Sequence, residues 1–387
     1  MASLKINKAN LNTVLVNMAV FLGLLLIVEI CLHLLFVYSE NPLIQNYASV
    51  NQLERNRKIP QFSPHRYLGY YPTPDWKKGK NAHNALGFRG EEIFEPKPEE
   101  TFRIVCIGGS TTYTSAVEDY HESYPYLLQQ ELIQRGIKGV EVINSGVGNW
   151  SSWESLINLQ LRIMDLDPDL LIIYHSTNDI QSRIVWPPEN YTGDNSGRRI
   201  STYADLAPGW KDVLFENSNI LRILSIKLAW KTPNVVLERL DPSPETYHLP
   251  EFIRQLNDGS YPSGIFREVS LAKMLETNRP VYFRRNLTNM IDLAKNQGVG
   301  VVISTFAHCT GFENEFSDSP EYTLAYKEHN QIIKEIAIAK EIPCLDLANL
   351  FPANMEFYTD GRHVNEKGSR LKAKIFADFL TPIAKEN

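Results

Sequence analysis

The 387-residue chain carries 39 basic and 45 acidic residues, a formal net charge of −6, and is 43% hydrophobic. This is ordinary globular material with enough apolar mass for one large domain or two, and an acidic balance without a basic stripe excludes a nucleic-acid partner. Four cysteines, Cys31, Cys106, Cys309 and Cys344, show no CxxC spacing, so zinc and redox motifs are excluded and all four are read as unpaired.

The first element is an apolar run over residues 13–37, enough to cross a hydrocarbon core as one helix. Asn17, Glu29 and His33 interrupt it. Glu29 and His33 stand four apart on one helical face, a spacing that lets them pair inside a bilayer, and a protonated Glu29 is the other option. A cleavable signal peptide competes with this reading, but the run is long for one and no small-residue cleavage site follows. An uncleaved anchor is expected. Lys5 and Lys8 flank the run more closely than Arg55, Arg57 and Lys58 do. Residues 1–12 are therefore expected in the cytoplasm, with the C-terminal body on the extracytoplasmic side of the cell membrane.

Residues 38–100 are rich in Pro, Asn, Tyr and charge and lack periodicity, as in a stalk that packs partly on the body. Within them Asn84–Gly90, NALGFRG, reads as an ordered turn. From Thr101 to the end, residues 101–387, the pattern alternates. Strands are expected at Phe102–Ile107, Val140–Ile143, Leu170–Tyr174, Val299–Ser304 and Cys344–Asp346. Helices are expected at Glu122–Arg135, Ser152–Leu166, Tyr282–Gln297, Glu321–Lys340 and Asn365–Leu380, with Gly136 and Gly298 as stops. Short apolar strands alternating with amphipathic helices imply an α/β fold, a parallel five-stranded sheet covered on both faces. Between residues 186 and 280 the alternation fails, and short helices such as Asn219–Trp230 are expected there. An insertion of that length reads as a lid or a recognition surface. No internal repeat is evident.

The chemistry gathers at the strand ends. Phe102–Thr112, FRIVCIGGSTT, is a buried strand, two glycines and then Ser110, whose hydroxyl and N–H are exposed where open α/β sheets place their ligands. By itself it also fits a helix cap or a phosphate cradle, but no Lys follows in a GxxxxGK[ST] pattern. The second strand runs into Asn144–Ser152, NSGVGNWSS, the third into His175–Asp179, HSTND, and the fifth into Tyr358–Glu366, YTDGRHVNE. An activated serine needs a base, usually His, oriented by a carboxylate. Asp360 and His363 are three apart and fit those roles, although the same pair reads equally as a helix-capping Asp and a surface His. A tetrahedral intermediate also needs donors for its oxyanion. Ser110 N–H, the Asn178 amide and a backbone N–H in the Gly146–Asn149 turn are candidates, while Asn178-Asp179 alone reads as a turn or N-cap pair. His175 and His308 are read as structural histidines. No HExxH and no ligand-spaced cluster of carboxylates and histidines occurs, so no metal or other cofactor is expected.

These four stretches resemble, in order, the sequence blocks of the SGNH hydrolase superfamily, the GDSL-like lipases and esterases. The likeness covers roughly residues 84–183 and 282–380, leaving out the apolar run and the insertion. It implies a three-layer, flavodoxin-like fold, with Ser110 as nucleophile, His363 as base and Asp360 as its partner. Asn178 is implied as an oxyanion donor, joined by a backbone N–H of the second block. The chain departs from the family at three places. Gly109 replaces the Asp before the nucleophile, Ser176 stands where the third block has Gly, and the second block's glycine aligns with Asn149, next to Gly148. Asn tolerates positive φ, so Gly148 and Asn149 both remain candidates for the backbone donor. The resemblance implies a serine esterase or deacylase acting on an O-acyl ester, with an acetylated envelope glycan as substrate class. An O-acyltransferase with the same triad, and a catalytically silent anchored binding module, are the alternatives.

Overall fold

The computed structural model describes residues 8–39, 41–49, 52–53, 61–65, 67–194, 210–231, 233, 247–248, 269–312 and 318–386. The remainder of the 186–280 insertion thus lies outside the described residues. Along the chain run helix α1 (Lys8–Tyr38), strand β1 (Phe102–Gly108), α2 (Ser110–Tyr113), α3 (Tyr124–Gln134), β2 (Val140–Gly146), α4 (Ser152–Asn158) and β3 (Leu170–Tyr174). There follow α5 (Thr177–Ser182), α6 (Trp210–Asn217), α7 (Asn219–Lys227), α8 (Val281–Asn296), β4 (Gly300–Ser304), α9 (Pro320–Lys340), β5 (Cys344–Leu345) and α10 (Glu366–Glu386).

β1 to β5 form one parallel sheet in the order β2-β1-β3-β4-β5. This is the flavodoxin-like order, with the switch of direction between β1 and β3. Successive strand residues point to opposite faces. Ile104, Cys106, Ile172 and Val302 therefore pack with α3 and α10, through Leu128, Leu132, Phe376 and Leu380. Val105, Ile107, Ile173 and Ile303 face the other way, onto Leu287 and Met290 of α8 and Ile333 and Ile336 of α9. With both faces covered, the strands lack polar alternation, which is why they read as continuous apolar runs. All four cysteines are free thiols.

One expected helix is built differently. Ser152–Leu166 opens on a capping box, Ser151 with Glu154, but α4 ends at Asn158, a π-turn spans Leu159–Ile163, and a 3-10 turn closes the segment at Leu166. The widened turn lets Leu159, Ile163 and Leu166 all face the sheet, where each is buried. Apolar spacing in the sequence matched an unbroken helix closely enough to hide this.

Contacts divide the chain into two units, Met1–Ile59 with Ile200–Asp241, and Pro60–Arg199 with Pro242–Asn387. The segment expected as one stalk thus splits, its second half belonging with the sheet. There Asn84 folds the NALGFRG turn by accepting from the Leu86 and Phe88 N–H groups. The centre of the insertion groups with the N-terminal helix. Within that first unit, Glu29 and His33 do not pair. Glu29 instead accepts from the start of α7, and His33 Nδ1 meets Gln52 Nε2 at 2.9 Å.

Three histidines of the sheet unit, His83, His175 and His329, are buried, and the one carboxylate placed beside His175, Asp179 Oδ2 at 3.8 Å from Nδ1, does not keep a proton on that ring. Burial depresses His83 to about 4 and His175 to about 3, and His329 well below the usual imidazole value. Their folded values lie below the unfolded one of about 6.5, so the unfolded chain binds more protons as pH falls past it. The associated stability is complete above pH ~6.5 and declines toward pH ~4, by up to ~1.4 kcal/mol per pH unit for each histidine. Denaturant midpoints measured from pH 7 to pH 5 should fall; a flat profile would contradict the neutral state of these side chains.

Candidate active site

The serine is aimed by glycines. A Cβ on Gly108 would lie 2.1 Å from Thr112 Oγ1 and 2.6 Å from the Tyr174 carbonyl oxygen, and one on Gly146 2.1 Å from Tyr113 N. Only bare backbone lets α2 settle this closely on the ends of β1, β2 and β3. Ser110 then stands as the first residue of α2, half-buried at the carboxyl edge of the sheet.

Asp360 and His363 come from the loop between β5 and α10. A bridge between Tyr358 and Val364 closes that loop, and Thr359 N donates to the His363 carbonyl at 2.8 Å. Asp360 Oδ1 accepts from His363 N at 2.7 Å and Arg362 N at 2.8 Å, and Oδ2 lies 2.7 Å from His363 Nδ1. Burial alone would raise the Asp360 carboxyl, but hydrogen bonding and charge from His363, with the Arg362 charge beside them, hold it down at about 2. An ionised Asp360 fixes the proton on Nδ1 and leaves Nε2 as an acceptor. Nε2 stands 2.7 Å from Ser110 Oγ. Hydroxyl, imidazole and carboxylate thus form one chain in which Ser110 can pass its proton to His363. The structure brings these three residues together across the fold.

The oxyanion candidates gather beside them. Asn178 lies in the first turn of α5, and its Nδ2 donates to the Trp150 carbonyl at 2.8 Å. This bond orients the amide group beside Ser110's loop. A Cβ on Gly109 would stand 2.7 Å from Asn178 Nδ2, so glycine at that position admits the amide's close approach. Asn149 adopts φ 61°, the left-handed conformation that asparagine tolerates. Tyr70 OH donates to the Gly148 carbonyl at 2.5 Å and pins the same turn. Among the described residues the N–H groups of Ser110, Gly148 and Asn149 meet no backbone acceptor. Ser176 turns its hydroxyl toward His329 Nδ1, 3.2 Å away.

Asn178→Ala is expected to lower kcat by about 10²–10³-fold with KM little changed, since the amide would act on charge that develops only in the transition state. Steady-state kinetics on an aryl ester would check this, and unchanged kcat would remove Asn178 from the site.

His175 and His308 are engaged elsewhere. His175 Nε2 meets Ser155 Oγ at 2.8 Å, and His308 stacks on Tyr326. Three supports escaped sequence reasoning. Asp179 accepts from Ser152 N at 3.1 Å and from Ser152 Oγ at 2.5 Å, joining the first turn of α5 to the start of α4. Buried Arg89, from the NALGFRG turn, donates to the carbonyls of Tyr113, Thr114 and Val117 and fixes the chain leaving α2. Buried Lys372 donates to the Thr111 carbonyl at 3.2 Å and lies over the Tyr124 and Tyr174 rings. The sequence offers little signal for these roles: Asp179 reads there as a turn or N-cap residue, Arg89 as part of a glycine-flanked turn, and Lys372 as one of several charges on a helix. Among the described residues no group of three or more His, Cys, Asp or Glu is placed to hold a metal ion.

A five-stranded sheet in this order, with a serine, a histidine and an aspartate linked at its carboxyl edge, defines an SGNH-type hydrolase fold. The profile of the GDSL-like Lipase/Acylhydrolase family matches residues 106–371. The chain belongs to that family. No curated protein matches it in sequence. Among solved structures it is similar to an acetyl xylan esterase at 13% identity, covering 71% of this chain and 98% of that one, with a TM-score of 0.40. It is also similar to the lipase/acylhydrolase from Enterococcus faecalis at 16% identity, covering 73% and 96%, with a TM-score of 0.40. A GDSL-like lipase from Bacteroides thetaiotaomicron is similar at 13% identity, covering 75% and 91%, with a TM-score of 0.39.

Proposed function

We propose that the chain is a membrane-anchored serine esterase that removes an O-acyl group, with Ser110 as nucleophile, His363 as base and acid, and Asp360 as the carboxylate that orients it. The observation that carries this reading is the unbroken hydrogen-bond chain from Ser110 Oγ through His363 to Asp360, 2.7 Å at each link. As Ser110 Oγ bonds to the ester carbonyl carbon, its proton passes to His363 Nε2. The carbonyl oxygen becomes an oxyanion, met by Ser110 N–H, the Asn178 amide and an N–H of Gly148 or Asn149. Collapse breaks the bond to the alcohol, which leaves with the proton from His363. Water, deprotonated in turn by His363, then releases the acid from the acyl-enzyme.

The anchor is the second part of the proposal. Residues Asn12–Tyr38 lie in one helix of mean hydropathy 2.7, and most of them are exposed. At 1.5 Å per residue that span exceeds the ~30 Å hydrocarbon core. Lys5 and Lys8 favour a cytoplasmic N-terminus, with the site on the extracytoplasmic side. The resemblance of the four motif blocks supports a small acyl group on an envelope glycan as the substrate class.

A fluorophosphonate probe should label the wild-type protein and fail to label Ser110→Ala. Absence of labelling in folded wild type would return the chain to a binding module. An acyl-donor screen, with products identified with and without an acceptor sugar, distinguishes hydrolysis from acyl transfer.

A further inference from the structure

Within the unit that contains α1, polarity is inside out. α7 buries Asn219, Arg222 and Ser225 and exposes Leu221 and Leu224, and its C-cap residue Leu228 is also exposed. Leu224 is 49% exposed, Leu228 53%, and Trp230, just beyond the helix, 73%. Val213 and Leu214 of α6 are exposed as well. In water a helix of this composition would bury its leucines and present its arginine.

The buried interior is polar and closely satisfied. Arg222 has five N–H donors, and five acceptors surround it: the carbonyls of Tyr47, Phe215 and Glu216, Gln52 Oε1 and Asn219 Oδ1. Glu29 of α1 accepts from Asn219 N at 2.8 Å and Ile220 N at 3.1 Å, as well as from the Ser218 hydroxyl and the Asn219 amide. The N–H groups that a helix start leaves open are thereby met by a side chain from inside an apolar run. Hydrocarbon imposes this arrangement, because no water is present to satisfy such groups.

We infer that α6 and α7 are embedded in the bilayer, fastened to α1 through Glu29, with acyl chains covering Leu221, Leu224 and Leu228. This rests on the anchor reading of α1. Its depth follows from the fastening point: α1 continues from Glu29 to Tyr38, roughly 14 Å of rise, so α7 starts near the middle of a core ~30 Å thick. Continuity with the lipid-facing surface of α1 selects lipid as the occupant. The α6–α7 part of the insertion is then part of the membrane anchor, where the sequence suggested a lid or a recognition surface.

The test uses the full-length protein in phosphatidylcholine vesicles, with exposed Cys31 replaced by Ser and an NBD fluorophore on Leu224→Cys, Leu228→Cys or, as reference, Leu24→Cys of α1. Fluorophosphonate labelling checks that each variant is folded. A doxyl-labelled phospholipid should quench all three labels, and aqueous iodide none. Lipid quenching at residue 24 without quenching at 224 and 228 overturns the inference and leaves the anchor standing. Iodide quenching at 224 and 228 also overturns it, as does shielding there from both quenchers, which would mark a protein cover. Absence of lipid quenching at residue 24 overturns the anchor and the inference together.

Discussion

His363→Ala should lower turnover by about 10⁶-fold, the scale on which loss of a serine hydrolase's base removes the whole triad's contribution. The imidazole is the only link between Ser110 Oγ and Asp360, 2.7 Å from each. Without it the serine proton has no acceptor, and the departing alcohol has no donor. The fold should survive, because His363 is a partly exposed loop residue and its backbone contacts, N to Asp360 Oδ1 and O from Thr359 N, do not need the ring. The measurement is kcat on an aryl ester beside a thermal melt. Activity within tenfold of wild type at an unchanged melting temperature would exclude His363 as the base.

Asp360→Asn should cost about 10⁴-fold in kcat, less than the histidine but far more than a lost surface contact. The variant keeps an acceptor for the His363 and Arg362 N–H groups through its side-chain oxygen. Toward the ring it presents an NH₂, which stabilises the tautomer with the proton on Nε2, the wrong nitrogen for accepting from Ser110. The negative charge that would stabilise the imidazolium is gone too. Asp360→Asn and His363→Ala combined should be no worse than His363→Ala alone, since the carboxylate acts through the ring. Multiplicative losses would mean that Asp360 acts on substrate directly.

The strands were legible because parallel strands buried on both faces must be continuously apolar. Leu170–Tyr174 is read from the sequence with the same ends that the structure has, and the other four are read within three residues of theirs. That the candidates Ser110, Asp360, His363 and Asn178 lie at one edge was legible for a related reason: each follows a strand, and a parallel sheet gathers all its strand ends at one edge. Asp179, Arg89 and Lys372 were not, because each supports an element distant in sequence. Arg89 holds the carbonyls that follow α2, and Lys372 reaches back from α10 to Thr111.

The sequence by itself determined the layered α/β architecture, the apolar N-terminal helix and which residue types meet at the sheet edge. Those properties follow from local periodicity and from strand polarity, which a chain carries in its own order. Tertiary structure decided what the local pattern left open. It placed Asn149 in a left-handed turn, spent one Asn178 N–H on the Trp150 carbonyl, and paired Glu29 with α7 where spacing suggested His33. A hydrogen-bonding side chain takes whichever partner the fold brings within 3 Å or so, and for Glu29 that partner lies about 190 residues along the chain.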